Sequence, residues 1–73
     1  MKAEIVAAIQ AQMPDARVDA QVEGDRALIT VVSTVFAGMS RVQQQQAVYR
    51  CIDAFITDGR LHAVTIRAQT PDD

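Results

Sequence analysis

His62 is the only histidine in the chain and Cys51 the only cysteine, so metal or thiol chemistry must begin from these two. An imidazole can carry a proton near neutral pH or offer a lone pair to a metal. His62 has no second His or Cys at ligand spacing, and one imidazole cannot supply the four ligands of a closed site. Asp53 and Asp58 make no evident acid–base pair with it, so the residues give no support for an enzyme. Cys51 stands beside Ile52 and near Phe55, surroundings that suit an inert, buried thiol. Met13 and Met39 read as packing residues, and Tyr49 as a core residue with its hydroxyl at the edge.

A second chemistry is raised by FAGMSRVQQQQAVYRC, residues 36–51. A glycine turn entering a helix can bind an anion through free amides and the helix dipole. GMSR, however, has one glycine and no GK pair, so a nucleotide-binding loop is absent. A K homology loop needs GxxG, and Arg41 stands in place of its second glycine. What remains is a turn in which Ser40 caps a structural helix, its hydroxyl accepting from the amide of Val42 or Gln43. Charge agrees, for the net charge is −2, with seven basic residues scattered among nine acidic ones. Nucleic-acid affinity rests on phosphate neutralisation, so DNA binding is expected to be weak and strongly salt-dependent.

The elements that must position these groups can be read from periodicity. From Ala3 to Gln12, Ile5, Val6, Ile9 and Met13 recur at helical spacing, and Pro14 stops the helix near Gln12. RVDAQVE alternates, with Val18, Ala20 and Val22 on one face of a strand. Gly24 and Asp25 make a tight turn into ALITVVSTVF, residues 27–36, a second and more buried strand, completing a hairpin. Gly38 ends that pattern. From Arg41, a helix presents Val42, Val48, Tyr49, Ile52, Phe55 and Ile56 on one broad face, with Gln43 to Gln46 as solvated positions, and Gly59 ends it. RLHAVTIRAQT then alternates, placing His62, Val64, Ile66 and Ala68 inward and Leu61, Ala63, Thr65 and Arg67 outward.

The order helix, strand, strand, helix, strand gives one α+β domain of αββαβ type. The last two strands, joined through a helix, should pair parallel with a right-handed crossover, giving a three-stranded mixed sheet with both helices on one face. Ile5, Ile9, Val22, Ile29 or Val31, Val48, Ile52, Phe55, Val64 and Ile66 are expected to be buried. A chain of 73 residues makes a single domain, and one cysteine permits no intrachain disulfide, so the 49% apolar residues must supply the core. No run approaches the ~18 apolar residues of a membrane span. Glu4 and Gln10 interrupt the N-terminal apolar run, so a signal peptide is not expected. A cytoplasmic soluble domain is the expectation.

Two longer stretches carry more than their physics. VFAGMSRVQQQQAVY and DGRLHAVTIRAQTP resemble the BolA family, specifically its short acid-stress-linked bacterial members, over residues 36–71. The resemblance implies a fold similar to class II K homology domains and a non-enzymatic binding protein. It implies a monothiol glutaredoxin as partner in [2Fe–2S] cluster assembly, trafficking or iron sensing. The cluster would be shared with the glutaredoxin cysteine and glutathione, with His62 as the family's ligand, and the chain alone would hold none tightly. Many members carry a second Cys or His in the first hairpin loop. Here EGDRAL offers Asp25, Arg26 and Ala27, so Asp25 is the candidate second ligand. The alternative implied role is a transcriptional regulator contacting DNA through Gly38, Met39, Ser40 and Arg41, with Arg50. Glutamines at 43–46, where relatives often have Lys or Arg, weigh against it. By itself the chain is expected to be a monomer or a weak homodimer, with no membrane attachment.

Overall fold

A computed structural model describes residues 1–71 of the chain. The elements are α1 (Lys2–Gln12), β1 (Arg17–Glu23), β2 (Arg26–Val32), a short 3-10 turn (Thr34–Phe36), α2 (Arg41–Thr57) and β3 (Ala63–Gln69). The sheet order is β1-β2-β3, with β1 and β2 antiparallel and β2 and β3 parallel. The expected α+β architecture is therefore present: two helices on a three-stranded mixed sheet.

Local chemistry explains the connections. Glu23 pairs with Arg26 across a two-residue turn, and Gly24 takes φ +60 at its first position. That left-handed value is open to glycine without the Cβ clash other residues meet, and it matches the twist of the flanking strands. α2 begins in a capping box: the Ser40 hydroxyl accepts from the Gln43 amide at 3.2 Å, and the Gln43 side chain accepts from the Ser40 amide at 2.8 Å. Two otherwise orphan amides are thereby satisfied.

Alternation along each strand sends one face to the helices. Ala20, Ala27, Ile29, Val31 and Ile66 are buried there, meeting Ile5 and Ile9 of α1 and Val48, Ile52 and Phe55 of α2. Val22 and Val64, expected to be buried, are half-buried members of the same cluster. α1 packs on β1 and α2 on β3, while the other sheet face is open.

Three expectations need correction. β2 ends at Val32 and does not run through STVF. The cause is Asp15: its carboxylate accepts from the Ser33 hydroxyl at 2.9 Å, the Thr34 amide at 3.0 Å and the Thr34 hydroxyl at 2.8 Å. This clasp turns the chain and drives Phe36 into the core, where it is 1% exposed. The glutamines are not merely solvated. Besides the cap at Gln43, the half-buried Gln44 donates to the Phe36 and Met39 carbonyls, and half-buried Gln45 donates to that of Ile66. Last, the apolar face of α2 is narrower than expected, because Val42, Tyr49 and Ile56 are exposed.

Those hydrogen bonds, above all from Thr34 and then Ser33, hold the Asp15 carboxyl below its usual pKa. A carboxylate depressed in the folded state adds stability above its unfolded pKa, near about 4, and loses it as pH falls through the folded value. Asp15→Ala should therefore lower the unfolding midpoint at pH 7. The gap to wild type should narrow steadily in denaturant titrations below about pH 4. A gap independent of pH would show that the clasp is not ionic.

Candidate functional site

His62 lies one residue before β3 and is exposed. It therefore does not open the inward face of that strand, as alternation suggested. Leu61, expected outward, is the residue that enters the core, at 1% exposure. The reason is register: alternation binds residues only inside the pleat, which starts at Ala63. Solvent access to the imidazole, the part that matters for ligation, is as expected.

The main chain beneath His62 is well tied. Its amide donates to the Asp25 carbonyl at 2.8 Å, and the Ala63 amide to the same oxygen at 3.3 Å. The hairpin turn between β1 and β2 is thereby brought against the segment carrying the histidine. Asp25 and His62, 37 positions apart in sequence, become neighbours through this shared carbonyl. A shallow depression on the open sheet face lies at the same end, lined by Gln21, Glu23, Arg26, Leu28, Ala63 and Thr65.

Upstream, the turn that delivers His62 is held by Gly59 and Leu61, and by Arg60, which the sequence reading did not single out. Gly59 takes φ +85 after α2, and the Leu61 amide donates to the Phe55 carbonyl at 3.0 Å. Arg60 donates from Nε to Asp58 at 2.7 Å and reaches Glu4 of α1 at 3.3 Å. Its guanidinium also stacks 4.2 Å from the centre of the Phe55 ring. Arg60 is thus a tether between α1, α2 and the histidine turn, worth little per exposed ion pair but directional as a set. Asp58 and Gly59 signalled a turn in the sequence; the reach to Glu4, 56 positions away, had no sequence signal.

The donor set is small. Among the described residues no group of three or more His, Cys, Asp or Glu is placed to hold a metal ion. Cys51 is half-buried, its thiol donates to the Ala47 carbonyl at 3.3 Å, and burial pushes its pKa up against a smaller opposing pull from Arg50. Such a thiol stays protonated at neutral pH and is a poor nucleophile or ligand. Among the described residues, no such group of donors is gathered into a metal centre. The chain does offer a single exposed imidazole on a fixed base.

The alternative nucleic-acid surface is not gathered into a patch. Gly38 is exposed at φ +79, Met39 is half-buried, and the Ser40 hydroxyl is spent on the helix cap. Arg41 and Arg50 stand two and a half turns apart at about 3.6 residues per turn, so they leave opposite sides of α2. Among the described residues no helix is long and apolar enough to cross a membrane.

Comparison with known proteins agrees with this architecture. The "BolA domain of SufE1" and BolA1, both from Arabidopsis thaliana, are similar folds. For BolA1 the TM-score is 0.87 at 20% identity, covering 99% of this chain and 93% of the other. A bolA homologue from Coxiella burnetii gives 0.82 at 22% identity, covering 99% and 92%. In sequence, the acid stress protein IbaG of Escherichia coli K12 is 45% identical over 49 residues, 67% of this chain. That match spans 58% of the relative's length. The BolA-like protein family matches residues 5–73, and the chain belongs to that family.

Proposed function

We propose that this protein is a non-enzymatic binding module that pairs with a monothiol glutaredoxin and supplies His62 to a [2Fe–2S] cluster held between them. The observation that carries this reading is the position of His62: exposed, one residue before β3, with its amide fixed to the Asp25 carbonyl at 2.8 Å. One imidazole without companion donors is useless as a metal site in isolation and apt as one ligand among several. The other ligands are a thiolate of the glutaredoxin and the thiolate of glutathione. Neutral imidazole in place of a thiolate removes negative charge from the cluster, raising its potential and changing its lability. Asp25, whose main-chain carbonyl accepts from the His62 amide, carries the carboxylate proposed for a further position. Membership in a family with an acid-stress protein among its relatives supports a role in stress response.

The test is to co-express the chain with a monothiol glutaredoxin, purify the pair anaerobically with glutathione and record absorption and circular dichroism spectra. The wild type should give a shared cluster. His62→Ala should leave the fold intact, since the side chain is exposed, but change the spectrum and shorten the cluster lifetime by at least about tenfold, the scale on which metal sites respond to loss of supporting groups. Indistinguishable spectra and lifetimes would remove His62 from the ligand set.

A further inference from the structure

Val42, Tyr49 and Ile56 are 64%, 39% and 36% exposed, and they follow one another at intervals of seven along α2. Seven residues make nearly two turns, so the three side chains form one stripe along the helix. Its direction is set by Gln45, which lies between the stripe and the buried face and donates to the Ile66 carbonyl at 2.8 Å. In β3, Ala63 and Gln69 turn their main chain toward the β2 side, bonding Asp25 and Ser33. Ile66, of opposite parity, therefore turns its carbonyl to the free edge. The stripe looks sideways, out past the edge of the sheet.

Layer widths decide what can meet it. Packed helices stand about 8–10 Å apart and strands about 4.8 Å, so two helix axes stand over the outer two of three strands, and a helix body about 10–12 Å across reaches past its strand. α2 thus overhangs the edge strand. A neighbour approaching this side meets the helix first, and Gln45 already occupies an outward carbonyl that a pairing strand would need. The surface is shaped for a helix.

We propose that this stripe docks a second copy of the chain, α2 packing antiparallel on α2 about a two-fold axis at Tyr49. The pattern is its own complement. Val42 and Ile56 are equally distant from Tyr49, so the axis sets Val42 of each copy against Ile56 of the other, with the two tyrosines at the centre. The charges agree. Arg50 and Asp53 lie on the flank of the stripe away from the sheet, and neither makes an ion pair among the described residues. A two-fold axis brings this flank against its own copy, so each Arg50 can reach the other Asp53. Gln46 and Thr57, on the same flank, add no charge. The face is small: 17 residues of helix run about 25 Å, and a strip about 10 Å wide buries roughly 500 Å² in total, below the ~1,200 Å² of standard interfaces. The dimer is weak, with a dissociation constant on the order of 10⁻⁴ M.

Sedimentation equilibrium from 20 μM to 1 mM, roughly bracketing that constant, tests the proposal on the intact chain. The wild type should shift from monomer to dimer across the range. Tyr49→Arg should weaken association at least about tenfold while the melting curve stays unchanged, as expected for an exposed position. Arg50→Glu and Asp53→Arg should each weaken it about fivefold, and the double reversal should recover it. A wild type that stays monomeric at 1 mM, or a dimer indifferent to Tyr49→Arg, overturns the proposal. Two weakening reversals without recovery in the double variant overturn the antiparallel two-fold arrangement.

Discussion

Phe36→Ala should cost about 3–5 kcal/mol of folding stability, the range for removing a large ring from a core. The ring is 1% exposed, and it sits at the corner where the clasp from Asp15 turns the chain from β2 toward α2. A chain of 73 residues has a total stability of about 4–11 kcal/mol at the usual 0.05–0.15 kcal/mol per residue, so this one change removes much of it. The melting temperature should fall by roughly 12–40 °C, at about 4–8 °C per kcal/mol for a domain this size. Val35, its neighbour, is 44% exposed, and Val35→Ala should cost under about 1 kcal/mol. Calorimetry on the two variants would compare them directly. Equal melting temperatures would mean that Phe36 does not hold the corner.

The same corner marks a limit of sequence reading. Val35 and Phe36 are good strand formers, and local pattern continued the strand through them. The chain turns because of a carboxylate 18 and 19 positions upstream, a pairing that no local pattern contains. The elements themselves were legible, because Pro14, Gly24, Gly38 and Gly59 punctuate periodic runs of the right length. Ser40 as a cap was legible too, since its partner Gln43 is only three residues on. The work of Gln44 and Gln45 was not, because glutamine reads as a solvated helix former until the main-chain carbonyls it reaches are known. For the site, His62 stood out as the only histidine, and the BolA-like motif around it suggested the ligand role proposed above. Its one-residue offset from the strand, and the Asp25 carbonyl beneath it, depended on where pairing with β2 begins.

That offset leads to the second large effect, at Leu61. Its side chain is 1% exposed in the core, and its amide donates to the Phe55 carbonyl, so it anchors the turn from which the next residue projects. Leu61→Ala should cost about 2–5 kcal/mol. Because the anchor and the exposed imidazole are adjacent, the loss should also loosen the main chain under His62. The amide of His62, protected by the 2.8 Å bond to Asp25, should exchange with deuterium faster in the variant, under conditions where the protein remains folded. Leu61→Met, which conserves volume, should cost under about 1.5 kcal/mol and keep that amide protected. His62→Ala should behave oppositely, leaving stability within about 0.5 kcal/mol because the residue is exposed. The comparison separates holding the ligand in place from being the ligand. In a glutaredoxin complex, Leu61→Ala should shorten the cluster lifetime with the imidazole still present, and His62→Ala should do so with the turn still rigid. If Leu61→Ala left both the melting temperature and the His62 amide exchange unchanged, the turn would be held by Arg60 and the Asp25 carbonyl alone.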